Sequence, residues 1–222
     1  MFYEPKKGYP FEIDPLNALV FPRPIGWISS ISSKGTLNLA PYSFFNAVAY
    51  TPPQVMFAAS FKPHTKEYKD SVANILKTKE FVVNFVTKSM SQKMNKSAID
   101  APDDIDEFNF SKIKKRKSKV VQVPSVAESP VNLECKFLKK IDLKSSIKNI
   151  YHNKIIIGEV VGIYIKNQYI KNGRIDSVAM SYVGRLGYSE YTTVKSKFKM
   201  KRPRWDRTIF NKNKLKFCKS CN

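Results

Sequence analysis

Residues 23–60 constrain the fold of this 222-residue chain more than any other segment. Residues 25–31 alternate between the two faces of a strand, and residues 36–40 return after a Ser-Lys-Gly turn. This pattern predicts a β-hairpin. Residues 41–48 form a polar and aromatic stretch that we predict to be a loop. After a Pro-Pro break, residues 54–60 are typical of a buried strand.

The same loop is the best candidate for a ligand site. It places Ser43 and Asn46 among aromatic and small apolar residues. A flat, hydrogen-bonding and partly apolar ligand needs this combination of apolar contact area with a few fixed polar groups.

The rest of the chain predicts further strands and two helices. Asp70 is a good N-cap for a helix over residues 70–79, and residues 88–97 predict a second helix. Residues 133–141 and 155–165 predict a long antiparallel pair, with Gly158 and Gly162 as bulges or points of close approach. Residues 81–86 predict one more strand. The fold class is therefore mainly β, a closed or nearly closed barrel with peripheral helices.

Composition excludes several classes of function. The chain lacks the glycine-rich dinucleotide fingerprint and the phosphate-binding P-loop. Its only histidines are His64 and His152, which argues against a histidine metal cluster or a Ser-His-Asp triad. An enzyme with such a sequence would take its reactivity from a bound organic cofactor. No apolar run is long enough for a transmembrane helix or a signal peptide, so we expect a cytoplasmic protein.

The net charge of +21 is concentrated in two places, around residues 112–119 and 195–219. Such a charge suits nucleic acid or another anionic partner, but lysines are also spread over ordinary segments, and we interpret most of them as solvated surface. We expect Cys135 to be a core residue. Cys218 and Cys221 form an isolated CxxC pair in the basic tail, which is a weak metal signal.

Several segments, in order and at plausible spacings, resemble the flavin reductase-like proteins of the FMN-binding split-barrel fold. No single segment is specific, but the combination is. It spans about residues 20 to 203 and leaves 204–222 as a basic tail outside a single domain of residues 1–203. The matching segments are 23–27 (RPIGW), 38–48 (NLAPYSFFNAV), 52–56 (PPQVM), 69–74 (KDSVAN), 80–84 (EFVVN), 94–95 (MN), 106–108 (DEF), 128–135 (ESPVNLEC), 157–161 (IGEVV), 185–187 (RLG), Tyr191 and 202–203 (RP).

The resemblance implies a Greek-key split β-barrel with peripheral helices, a homodimer and one FMN per subunit near the dimer interface. It implies an FMN-dependent oxidoreductase, with NADH or NADPH as donor and a small-molecule electron acceptor. No metal and no catalytic acid or base is expected, because hydride transfer requires stacked rings rather than a proton donor.

The resemblance also assigns the cofactor-binding residues. The isoalloxazine edge is expected against Ser43, Phe44, Asn46, Ala47 and Val48. The phosphate is expected near Ser60, Lys62, Thr65, Lys66 and Lys69, around the start of the helix at Asp70, where N–H groups and positive charge favour a dianion. Arg185 and Tyr188 are expected over the flavin or towards the nicotinamide, with a packing role as the alternative.

The chain departs from the family pattern at Tyr188, where a bulky ring stands in place of a second glycine. We expect this ring to narrow the side of the pocket that receives the substrate. Two other functions remain open at this point. One is an FMN-binding electron carrier without a nicotinamide site. The other is a nucleic-acid-binding module that uses the basic tail, but it leaves residues 23–60 unexplained and ranks last.

Overall fold

Antiparallel strands dominate the regular structure of this protein, for which a computed structural model describes residues 1–62, 67–144, 153–203 and 205. The strands are β1 (Arg23–Pro24), β2 (Gly26–Ile31), β3 (Leu37–Tyr42), β4 (Phe45–Tyr50), β5 (Pro53–Ala59), β6 (Glu80–Asn84), β7 (Lys115–Arg116), β8 (Ser125–Val126), β9 (Val131–Asp142), β10 (Lys154–Ile165), β11 (Ile170–Lys171), β12 (Arg174–Ile175), β13 (Val183–Arg185) and β14 (Tyr191–Thr193). The α-helices are α1 (Leu16–Leu19), α2 (Asp70–Thr78), α3 (Ser91–Lys96) and α4 (Glu107–Phe110), and short 3-10 helices span Pro5–Lys7, Lys88–Met90 and Asn167–Tyr169.

A seven-stranded sheet in the order β3-β2-β6-β9-β10-β5-β4 forms the centre of the fold. Its two edge strands, β3 and β4, are consecutive in the chain and are joined by only Ser43 and Phe44. So short a link can join opposite edges only if the sheet curls until they meet. The rings of Tyr42 on β3 and Phe57 on β5 lie 4.7 Å apart, which brings the two ends of the sheet into contact. The predicted Greek-key split barrel is therefore confirmed.

The two larger of three apolar cores among the described residues lie on either side of the barrel wall, and a small third one contains Val82, Val121 and Val123. The inner core includes Ile28, Phe57 and Phe81, while the outer core packs Trp27 against helices α3 and α4. Successive residues of β2 point to opposite faces, so Trp27 and Ile28 each enter a different core. Each such side chain, when fully buried, stabilises the fold by about 1.5–3 kcal/mol. Cys135 belongs to the inner core and is a free thiol, as predicted.

The two predicted glycine sites on β10 are also confirmed. The register between β9 and β10 shifts between Ile157 and Gly158 and again between Val160 and Gly162. A Cβ atom at Gly158 would lie 2.5 Å from Cε1 of Phe81, so this glycine lets the ring fill the inner core. The bulges add local twist, which helps the long β9–β10 pair to curve.

A buried polar network connects the helices to the barrel. The Glu107 carboxylate on α4 accepts hydrogen bonds from Nδ2 of Asn38, at 3.1 Å, and from the backbone N–H of Leu39, at 2.9 Å. Asn38 Oδ1 in turn accepts from the Ser71 hydroxyl on α2 at 2.6 Å. Burial raises the pKa of Glu107 above its ordinary value. The network fixes α2 over β3, and thus the segment that leads into α2.

Two local predictions are wrong. Residues 41–48 are not a loop: β3 extends to Tyr42, and β4 begins at Phe45. The β-forming residues of β4 pair with β5, so only a two-residue corner is left between the strands. Asp70 is not the N-cap, because Lys69 takes that position and the Asp70 carboxylate instead lies 2.8 Å from Nζ of Lys62. The remaining predicted strands and helix α2 are present, and residues 88–97 form a 3-10 turn followed by α3.

Several predicted features lie outside the described residues. They include Thr65 and Lys66, both histidines, and the Cys218–Cys221 pair. Within the described part of the chain, no helix combines the length and apolar character needed to cross a membrane.

Candidate functional site

The corner between β3 and β4 opens onto a cavity of about 270 Å³. Ser43 and Phe44 form one wall, and Ala58 and Ser60 at the end of β5 form another. The backbone N–H of Ala58 donates to the Phe44 carbonyl at 2.8 Å and holds the two walls together. Lys69, just before α2, closes a third side. The structure therefore brings Ser43 and Phe44, predicted for the isoalloxazine edge, together with Ser60 and Lys69, predicted for the phosphate.

The other three predicted residues of this region, Asn46, Ala47 and Val48, lie on β4 beyond the cavity. Their side chains are exposed, and β4 is an edge strand of the main sheet. Asn46 Oδ1 accepts the N–H of Ala47 at 2.8 Å. This bond leaves the amide NH₂ group of Asn46 as a donor to a ligand. The cavity at the corner is thus polar, and the strand that follows it in the chain presents Asn46, Ala47 and Val48 to the surface.

Acidic partners compensate both predicted phosphate-site lysines that the structure describes. Nζ of Lys69 lies 3.1 Å from the Asp100 carboxylate, and Nζ of Lys62 lies 2.8 Å from Asp70. The hydrogen bond to Asp70 raises the pKa of Lys62. The positive potential of the cavity is thus weaker than the sequence alone implies.

Sequence reasoning missed Lys154, which braces the same end of the barrel. Its Cα pairs with that of Ala59, and the residue is only 7% exposed. Nζ lies 2.8 Å from Asp142 and 4.3 Å from the ring centroid of Phe61. The Phe61 ring stacks on Tyr68 at 5.5 Å. Lys154 thereby contacts both the Phe61 and the Tyr68 ring, and only the register between β5 and β10 could have revealed it.

Sequence reasoning also missed Tyr42, Ala98 and Asn153, which line the cavity. The Tyr42 hydroxyl is buried and makes no hydrogen bond of normal geometry within the described chain. Burial raises the pKa of Tyr42, and the neighbouring Ser71 hydroxyl offsets part of this rise. The phenol therefore stays protonated. An orphaned buried hydroxyl beside a cavity fits a polar ligand that supplies its missing partner.

Arg185 and Tyr188 do not line this cavity. Arg185 donates to the Tyr188 carbonyl and the Tyr191 hydroxyl, and its guanidinium lies 4.5 Å from the Tyr191 ring centroid. Tyr188 is exposed and has a φ of 51° at a tight turn. The segment that carries Arg185 is nevertheless linked to the corner cavity through Arg23. Arg23 donates to the Leu186 carbonyl at 2.8 Å, and its guanidinium carbon lies 5.8 Å from the centroid of the Phe44 ring.

The chain is similar to a known protein family, to several relatives and to solved structures. The family model described as "Flavin reductase like domain" matches residues 18–184. A protein of Aquifex aeolicus is 36% identical over 184 residues, which is 82% of this chain and 90% of the relative. Its function has not been characterised.

Two solved structures are similar throughout. Nitrilotriacetate monooxygenase component B from Bacillus cereus has a TM-score of 0.82 at 28% identity, covering 90% of this chain and 98% of that one. The 2-nitrobenzoate 2-nitroreductase NbaA from Pseudomonas fluorescens has a TM-score of 0.74 at 28% identity, covering 85% and 88% of the two chains.

Proposed function

This chain belongs to the family described as flavin reductase like domain, and from that premise we propose that it is an FMN-dependent oxidoreductase. In the proposed reaction, NADH or NADPH donates hydride and a small-molecule acceptor takes up the electrons. The observation that carries the proposal is the polar cavity at Ser43 and Phe44, which is followed directly in the chain by the exposed strand β4. The names of both similar solved structures, a monooxygenase component and a nitroreductase, are consistent with redox chemistry.

The shape of the site supports FMN as the cofactor. A phosphate fits the cavity beside Ser60 and Lys69, which offer hydroxyl and ammonium donors, while Ser43 leads from the cavity into β4 on the side of the ring. We place the flat ring system against the exposed residues Asn46 to Val48 of β4. FMN would supply the redox chemistry, and the protein would supply position and hydrogen bonds.

The donors in this site determine what the protein itself contributes. The Asn46 amide and the protonated Tyr42 hydroxyl both offer hydrogens. Fixed donors of this kind stabilise negative charge that develops on a bound group. The Phe44 ring and Ala58 supply apolar contact in the same place.

A homodimer is part of the proposal. Strand β4 lies at an edge of the sheet, and its residues from Asn46 to Tyr50 are exposed, Tyr50 at 95%. An edge strand with exposed apolar side chains invites a partner. A second copy covering β4 would also enclose the ring of the cofactor. Light scattering should give twice the mass of one chain, and a monomeric mass would remove this part of the proposal.

The ion pair between Lys69 and Asp100 allows a test with two opposite signs. We expect Lys69→Ala to weaken FMN binding about fivefold, because a partly exposed cation is lost from the phosphate. Asp100→Asn should instead tighten binding about twofold, because Lys69 is released from its carboxylate. Fluorescence titration of FMN measures both. Asp104→Asn is the matched control, since it removes the same charge from an exposed site. Unchanged affinity in both variants would remove Lys69 from the phosphate site.

The activity itself is tested by steady-state oxidation of NADH and NADPH in the presence of excess FMN and several acceptors. We expect oxidation of at least one nucleotide that depends on both protein and FMN. Tight FMN binding without any nucleotide oxidation would instead indicate an electron carrier.

A further inference from the structure

A second, larger cleft lies between helix α3 and the β13–β14 hairpin, with a volume of about 660 Å³. Met94 and Val183 form its buried apolar floor. Hydroxyl and amide groups and one aromatic ring stand around the floor. These residues are Ser91, Gln92, Asn95, Ser189, Tyr191, Thr192 and Thr193. The volume lies within the range of pockets that bind small molecules and exceeds that of the corner cavity.

The cleft also carries three cations, Lys88, Arg185 and Lys195. Among the described residues, no carboxylate lines the cleft or forms an ion pair with any of the three. In the corner cavity, by contrast, Lys69 is paired with Asp100. The larger cleft therefore has the stronger uncompensated positive charge. It is suited to a ligand with more than one negative group.

Arg23 links the cleft to the corner cavity, because it contacts residues of both. Arg23 on β1 pairs in register with Arg185 on β13, and its guanidinium faces the Phe44 ring. The two guanidinium groups are close enough that Arg185 helps to lower the pKa of Arg23, after burial. Through Arg23 the cleft is thus connected to the Ser43–Phe44 corner, from which β4 and the proposed ring site begin.

We propose that this cleft binds the phosphorylated adenosine half of the nicotinamide donor and that its three cations favour NADPH over NADH. This inference rests on the proposed function, because it names the donor for that site. The extra 2′-phosphate of NADPH adds two negative charges at most, and cations without acidic partners are where such charge is stabilised. The Tyr191 ring and the apolar floor offer a surface for the adenine base.

The experiment measures binding directly, with no turnover. Adenosine 2′,5′-bisphosphate is titrated into the FMN-loaded full-length protein by calorimetry, at low and high salt. We expect saturable binding that weakens as salt screens the charges. A Lys88→Ala/Lys195→Ala variant should bind at least about tenfold more weakly, because two charge-assisted contacts are lost. Lys34→Ala, in the exposed turn between β2 and β3, is the control for general charge and should bind normally.

Three results would overturn the inference. The first is no saturable binding at low salt. The second is an equal loss of affinity in Lys34→Ala, which would indicate general attraction to a basic protein. The third is release of FMN from the Lys88→Ala/Lys195→Ala variant, which would assign the cleft to the flavin. If the bisphosphate binds as expected but NADPH is never oxidised, the cleft assignment stands and the proposed activity fails.

Discussion

Replacing Ala58 with phenylalanine is expected to abolish FMN retention while leaving the protein folded. Ala58 lines the corner cavity and is not a member of the inner core, whereas its neighbours Phe57 and Ala59 are. A ring at this position would occupy the space of about 270 Å³ that we assign to the phosphate end of FMN. We expect the affinity for FMN to fall at least about 100-fold, which corresponds to about 2.8 kcal/mol.

Flavin fluorescence and thermal unfolding together measure this effect. Ser33→Phe, in the exposed turn of the hairpin, adds the same ring elsewhere and should leave both quantities unchanged. If Ala58→Phe is folded and still binds FMN like the wild type, the corner cavity is not the flavin site.

The second large effect is expected on stability. Gly158→Ala should lower the free energy of unfolding by about 2–3 kcal/mol, because overpacking forces a well-packed core to shift. The added Cβ would lie 2.5 Å from Cε1 of Phe81 and 3.3 Å from the carbonyl oxygen of Lys136. Phe81 is fully buried and cannot swing into solvent. Urea denaturation of the wild type and the variant gives the difference.

Two further variants separate this clash from a general effect of glycine substitution. Gly162→Ala lies on the same strand, where its Cβ would meet only contacts of 3.3 Å or more, and it should cost less. Phe81→Leu removes the ring that the new methyl group would meet. We therefore expect Gly158→Ala to cost less in the Phe81→Leu background, with a coupling of about 1 kcal/mol or more. Strictly additive costs would show that Phe81 is not the obstacle.

The parts of the fold that were predicted correctly depend on local patterns. Alternation in β2 and β10 identifies strands regardless of what they pair with, and glycines in a β-branched run mark bulges. Residues 41–48 were misread because Pro41 and Ser43 are typical of a loop. Pairing with β5 makes Phe45–Tyr50 a strand, and that pairing cannot be seen in a local window.

In the candidate site, too, local segments could be identified from the sequence, whereas contacts between distant segments could not. The resemblance fixes the segments of Ser43, Phe44, Ser60 and Lys69, and the structure brings them together around one cavity. Their role in binding FMN stays a prediction. The carboxylate partner of Lys69 could not be predicted, since Asp100 follows a separate helix. Nor could the bracing role of Lys154, which depends on the register of two strands about 95 residues apart. Such contacts between distant segments are set by tertiary packing and leave no local signal.

The central claim is that the protein binds FMN and reduces it with a nicotinamide nucleotide. The most direct measurement is the visible absorption spectrum of protein that has been loaded with FMN, desalted and mixed with NADPH or NADH without oxygen. We predict that the flavin bands remain after desalting and bleach with NADPH, and more slowly with NADH. Bound flavin that stays oxidised in an excess of both nucleotides would contradict the claim.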